Sequence, residues 1–215
     1  MKQNILAALL LAPAAAGAQP SELFVDIADI APGIIVEMAY AGTENFIGDP
    51  IDGYHANKCL LTPPAAQALA LVEADLAQFG LHLKVLDCYR PQRAVDHFAR
   101  WAADTEDTRN KAAYYPTIPK AELFERGYIA ARSGHSRGST MDLTIDRLDM
   151  GGRHDLLDPR SNTLNPDVGR QARANRMLLK LAMEKHGFVN YPLEWWHYTL
   201  ADEPYPDVYF DRPVE

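Results

Sequence analysis

Hydrophobic positions along the chain change period several times, and each change marks an element. Leu69, Val72, Leu76 and Phe79 recur at three- and four-residue intervals, the spacing of one helical face. Thr62 is a candidate N-cap, Pro63 takes the favoured first-turn place, and Gly80 ends the helix. A second helix opens at Pro91, with Val95, Phe98 and Trp101 facing inward. A third is expected over Val168 to His186, with Leu178 and Leu181 inward and Gly187 as its stop. Short runs of strand character lie between them, at Ile34–Met38, Leu81–Cys88 and Met141–Ile145. The polar connection from Thr105 to Gly127 contains Tyr114-Tyr115-Pro116 and has the length of a lid or binding loop. Strands and helices alternate irregularly, and some strands follow one another directly. This pattern predicts an α+β fold, a central antiparallel sheet flanked by helices. No repeat or low-complexity tract divides the chain.

The N-terminus departs from this pattern. Met1-Lys2 precedes an apolar run from Ile5 to Leu11, and Ala16-Gly17-Ala18 follows. That order predicts a signal peptide over residues 1–18, cut before Gln19, with one domain over 19–215. The run falls short of the ~20 apolar residues that span a bilayer. The expectation is therefore an exported, periplasmic protein with no stable membrane anchor. With 29 acidic against 21 basic residues, the formal net charge is −8. An acidic chain without a basic block argues against a nucleic-acid partner. Cys59 and Cys88 are the two cysteines. In an exported chain they are either bridged or two buried thiols, and the sequence leaves both open.

Candidate chemistry concentrates in two stretches. In Ser133-Gly134-His135-Ser136-Arg137-Gly138-Ser139-Thr140-Met141-Asp142, the odd spacing of His135 and Asp142 would put them on opposite faces of a strand. Ser136, Arg137 and Gly138 can supply a bend that cancels the mismatch. Near the C-terminus stands Glu194-Trp195-Trp196-His197. Two histidines and an aspartate, with a nearby glutamate outside the ligand set, meet the needs of a catalytic zinc that keeps one position open. Taken singly, each is more often ordinary core or rim.

Together with Asp52-Gly53-Tyr54, Tyr89-Arg90-Pro91, Tyr114-Tyr115-Pro116 and Asp202-Glu203-Pro204-Tyr205-Pro206, these motifs resemble the D-alanyl-D-alanine dipeptidases, which are zinc enzymes. The resemblance runs from about Tyr40 to Glu215. It implies one Zn²⁺ per chain, held by His135, Asp142 and His197, with Glu194 as general base and Arg90 stabilising the oxyanion. It further implies that Tyr40 and Asp155 meet the ammonium of a small dipeptide, that Ser133 meets its carboxylate, and that residues 105–127 help wall the site. His154 stands where the family more often has an aromatic. The remaining histidines, His154 among them, lack a partnered spacing, and none is assigned to metal. Two rivals share the metal triad: a zinc DD-carboxypeptidase with an open groove for peptidoglycan stem peptides, and a non-catalytic zinc-dependent binder of wall fragments. The oligomeric state stays open.

Overall fold

A computed structural model describes residues 23–215; the expected signal peptide lies outside them. The chain begins with β1 (Val25–Asp26), α1 (Ile27–Ile30), β2 (Ile35–Val36), β3 (Leu60–Leu61) and α2 (Pro63–Ala77). It continues through β4 (Leu83–Asp87), α3 (Gln92–Ala103), α4 (Lys111–Tyr114) and β5 (Thr140–Ile145). The last elements are α5 (Arg170–Lys185), β6 (Phe188–Asn190) and β7 (His197–Leu200). The fold is α+β. Its main sheet has the order β2-β4-β5-β7-β6, and β1 pairs with β3 in a separate ribbon. The sheet is not wholly antiparallel as expected: β2 runs parallel to β4 at one edge, while the other pairs are antiparallel. The parallel pair needs a crossover, and the chain from β2 to β4 passes through β3 and α2. Among the described residues, no helix is long and apolar enough to cross a membrane.

Two apolar clusters hold the molecule together. One packs Leu69, Val72 and Leu76 of α2 and Leu179 and Met183 of α5 against Val85, Leu143 and Tyr198 of the sheet. The other gathers Tyr40, Phe46, Phe98, Trp101, Tyr114 and Tyr115. Val95, Phe98 and Trp101 face inward as their spacing predicts. Three other expected core residues do not. Phe79 is 81% exposed, because α2 ends at Ala77 and its helical phase is lost. Leu178 and Leu181 are 39% and 58% exposed. The buried face of α5 is instead Ala172, Asn175, Arg176, Leu179 and Met183. Two polar residues take inward positions because they tie down a loop. Arg176 donates to the carbonyls of Met150, Arg160 and Asn162, and Asn175 donates to that of Asp149. Thr62 starts α2, but its hydroxyl pairs with Ser139 Oγ at 2.6 Å rather than capping the helix.

A disulfide joins Cys59 and Cys88 across 29 residues of sequence. In the chain-entropy picture a loop of this size is stabilised by about 3–4 kcal/mol. It pins the end of β4, where the site begins.

Candidate active site

Asp142 and His197 lie directly opposite each other in the β5–β7 ladder. Their strand neighbours Met141, Leu143, Tyr198 and Leu200 turn into the helix-covered core. Side chains alternate, so Asp142 and His197 share the other face. Opposed positions in a sheet hold their Cβ atoms about 4.5–5.5 Å apart, close enough for short polar side chains to converge. His135 arrives from a 3₁₀ turn, Gly134–Arg137. Ser133 Oγ accepts the His135 N–H at 3.3 Å to start the turn, and Gly138 ends it at φ +83°. A Cβ at position 138 would stand 2.2 Å from the Phe24 ring, so both backbone and space require glycine. This is the bend that the odd spacing demands.

The three side chains form a tight triangle. His135 Nε2 is 3.2 Å from His197 Nδ1 and 3.3 Å from Asp142 Oδ1, and the last edge, His197 Nδ1 to Asp142 Oδ1, is 3.0 Å. Tetrahedral ligands about 2.0–2.1 Å from a zinc ion stand roughly 3.3 Å apart, so the triangle fits that ion. Asp142 Oδ1 is buried without a hydrogen-bond donor, as an atom reserved for a cation would be. The Cys88 carbonyl accepts from His135 Nδ1 at 2.8 Å, which leaves the Nε2 lone pair facing the triangle. Burial pushes the Asp142 carboxyl up, but the His135, His154 and His197 rings outweigh it and hold it well below the usual range.

Glu194 enters from the turn before β7, with its N–H donating to the Tyr191 carbonyl. Its Oε2 is 3.4 Å from His197 Nδ1. Burial, reinforced by Asp142 and Asp155, pushes its carboxyl up to about 8. Arg90 lies just beyond β4, half-buried over the rings of Tyr40 and Phe98. Its Nε donates to Asp87 at 2.9 Å, and its Nη2 is 3.6 Å from Asp142 Oδ2.

Asp87 is the residue that sequence reasoning missed. It is fully buried, accepts from the Tyr54 hydroxyl and Arg90, and stands 3.2 Å from His135 Nδ1. Alternation from Leu83 and Val85 would place it in the helix-covered core. A register shift between Val85 and Asp87 re-aims it, so Asp87 pairs with Asp142. Only a buried acid at the end of an apolar strand hinted at this. Burying that charge costs several kcal/mol unless it is paired, and three partners meet the need.

Tyr40 donates its hydroxyl to both oxygens of Asp155, at 3.1 and 3.0 Å. Asp155 has the unusual φ of +60°, and burial raises its carboxyl above the ordinary value. His154, left without a role in the sequence reading, is drawn into the site, its Nε2 3.4 Å from Asp142 Oδ2. No sequence spacing links it to Asp142; the loop held by Arg176 brings it in. Ser133 Oγ also accepts from Arg90 Nη1 at 3.5 Å, which leaves its own proton free to donate.

These residues border a cavity of about 290 Å³, lined by Tyr40, Arg90, Ser133, Asp142, Asp155, Glu194 and His197 with apolar Phe46, Phe98 and Leu157. Residues 127–134 supply one wall, and of the expected 105–127 wall it is Gly127 that reaches the cavity. Tyr114, Tyr115 and Leu123 pack behind, in the second apolar cluster. The arrangement offers a divalent-cation site, a half-buried acid beside it, a fixed guanidinium and a second acid, all within a space suited to a small ligand.

Comparison with known proteins places this geometry. A D-alanyl-D-alanine dipeptidase of Streptomyces coelicolor is 49% identical over 197 residues, covering 89% of this chain and 96% of its own. Dipeptidases of the same description from Enterococcus faecalis and Enterococcus faecium are 45% and 42% identical over 198 residues, each covering 89% of this chain and 97% and 98% of their own. The M15 peptidase family model, described as D-ala-D-ala dipeptidase, matches residues 21–215. With that match and these relatives, the chain belongs to the D-Ala-D-Ala dipeptidase family of M15 peptidases.

Proposed function

We propose that this protein is a zinc-dependent dipeptidase that hydrolyses free D-Ala-D-Ala to D-alanine. The observation that carries the reading is the His135–Asp142–His197 triangle beside Glu194, at the edge of a cavity of about 290 Å³. Zinc held there supplies Lewis acidity, lowering the pKa of water toward neutrality and polarising a carbonyl. Glu194 takes a proton from the attacking water as the C–O bond forms and gives it to the leaving amine as the C–N bond then breaks, so the protons balance. Arg90 is fixed by Asp87 and two rings before substrate arrives. It meets the negative charge that develops on the carbonyl oxygen without reorganising. Asp155, oriented by Tyr40, receives the substrate ammonium, and the free Ser133 proton is available to its carboxylate. A pocket that fixes both charged ends selects a dipeptide.

The carboxypeptidase alternative needs room for a stem peptide. A cavity at the lower end of the usual ~300–1,000 Å³ range for small-molecule sites favours the short substrate. A non-catalytic binder gives no reason to set Glu194 beside the triangle or to hold Arg90 against it. The Cys59–Cys88 bridge supports the exported location expected from the N-terminus, since disulfides persist in oxidising compartments. An exported enzyme fits recycling of wall-derived dipeptide better than depletion of a cytoplasmic precursor.

The test is hydrolysis of D-Ala-D-Ala and L-Ala-L-Ala by chelator-stripped protein before and after zinc is restored. Restoration should return activity toward the D,D-dipeptide, with about one zinc per chain in the triangle. Full activity in the stripped protein would overturn the reading.

A further inference from the structure

Residues 123–133, which include most of the cavity wall, run as turns and bends with neither helix nor strand. Among the described residues, Ala130, Ala131 and Arg132 make no backbone–backbone hydrogen bond, and the Gln92 side chain donates to the Ala131 carbonyl at 3.1 Å. The turn between β6 and β7 carries Tyr191. Its N–H donates to the His197 carbonyl and its own carbonyl accepts from the Glu194 N–H, both at 3.0 Å. Its ring stands edge-on to that of His197, with centroids 5.5 Å apart, and borders the cavity. Its hydroxyl donates to the Gly127 carbonyl at 3.3 Å. Tyr191 and Gly127 thus line one cavity from positions 64 residues apart, and this bond joins them. We propose that Tyr191 determines substrate length: it borders the space for the second residue of the substrate and, latched to Gly127, closes that end of the cavity to a third.

This assignment rests on the dipeptidase reading. Glu194 gives its proton to the leaving amine, which belongs to the second residue of a dipeptide. That residue therefore lies beside Glu194. Tyr191 stands three positions away in the same turn, with its backbone bonded to both Glu194 and His197. Asp155 fixes the opposite, ammonium end, so a longer peptide with a free amine can extend only past the second residue. Length at that end needs a limit of its own, and specificity of this kind is set by what the site has no room for.

Gly127 fits the same purpose. Its φ is +80°, and a Cβ there would stand 3.1 Å from the Tyr191 hydroxyl. Glycine lets the carbonyl face Tyr191 with no side chain between them. At 3.3 Å the bond is longer than the usual ~2.5–3.0 Å for O–H···O, so closure depends on the bulk of the ring as well as on the hydroxyl. The competing explanation is a Tyr191 that only supports the His197 ring.

The test sets D-Ala-D-Ala against D-Ala-D-Ala-D-Ala with zinc-loaded protein, each rate followed as loss of the peptide added. Cleavage of the first bond of the tripeptide consumes one water and releases D-alanine and D-Ala-D-Ala. Wild type should favour the dipeptide in kcat/KM. Tyr191→Phe keeps the ring against His197 and should narrow that ratio roughly two- to tenfold, the worth of one neutral hydrogen bond. Tyr191→Ala, which removes ring and bond together, should narrow it further. Gly127→Ala disturbs the same contact from the other side and should also narrow it. Joined to Tyr191→Phe it should add little, because both break one contact. Each variant should keep about one zinc per chain. If Tyr191→Ala does not fold, Tyr191→Phe and Gly127→Ala decide. Zinc lost with Tyr191→Phe would make the residue a support for His197 and overturn the proposal. So would an unchanged ratio in the variants, fully additive effects of Tyr191→Phe and Gly127→Ala, or a wild type that cleaves both peptides alike. A wild type that cleaves neither would overturn the dipeptidase reading, and the length limit with it.

Discussion

At Glu194, burial and two neighbouring acids push the carboxyl up to about 8, so in metal-free protein it holds a proton at neutral pH. A dication nearby favours the ionised form, which is the state a general base requires. Linkage fixes the sign of the pH effect. Between the ordinary glutamate pKa and about 8, the native state holds a proton that the unfolded chain has lost. Stability of metal-free wild type should therefore fall as pH rises through that window. Glu194→Gln removes this contribution, so urea midpoints of stripped wild type should drop relative to the variant as pH rises. A gap that does not change with pH would contradict the assignment. With zinc restored, Glu194→Gln should keep the metal and lose roughly 10²–10⁴-fold in kcat, the usual contribution of a positioned base. Asp87 acts through another residue: it stands 3.2 Å from His135 Nδ1 and touches no triangle atom of the ligand set directly. Asp87→Asn should weaken zinc affinity about 10–100-fold in chelator competition, the usual loss for a partner behind a metal-binding histidine.

The end of β4 carries more of the site than its five residues suggest. Its register shift re-aims Asp87, Cys88 follows with the carbonyl that orients His135, and Arg90 comes two residues later. The disulfide ties this segment to the residue before β3, so it restrains the metal centre as well as the unfolded chain. Replacing both cysteines by alanine should lower stability by about 3–4 kcal/mol in urea denaturation. Zinc should also dissociate faster from the double variant. Stability loss with an unchanged zinc off-rate would limit the bridge to a purely global role. At the 3₁₀ turn, Gly138→Ala forces a Cβ into both a left-handed backbone and the Phe24 ring. It should destabilise by at least about 1 kcal/mol, with displacement of His135 read as weaker zinc binding.

For the whole molecule, substrate length is the property at stake. Sheet, α3 and the 127–134 segment together border a cavity of about 290 Å³, and Asp155, the proposed partner of a free ammonium, lines it. Acylation removes that charge and adds bulk at the wall. A buried carboxylate left without its cation costs several kcal/mol, and each 1.4 kcal/mol is about tenfold. N-acetyl-D-Ala-D-Ala should accordingly be cleaved at least about 10²-fold less efficiently than the free dipeptide. Comparable kcat/KM values would favour the carboxypeptidase.

The sequence by itself determined the class of fold, the helical faces of α2 and α3, and the motifs that mark the family. Those rest on local periodicity, turn residues and ordered residue types, all of which act over a few positions. Tertiary structure decided the rest. The parallel edge strand β2 depends on a crossover, and the exposure of Leu178 and Leu181 depends on Arg176 being needed inward to hold a distant loop. Asp87 joined the site through a one-residue register shift, which reverses a side chain's face without altering the strand's composition. His154 met Asp142 through loop packing, and the choice between a bridge and two thiols at Cys59 and Cys88 turned on how the start of β3 meets the segment after β4, where the Tyr89 N–H donates to the Leu60 carbonyl. Each is a contact between residues far apart in sequence, set by packing rather than by any pattern local to either partner.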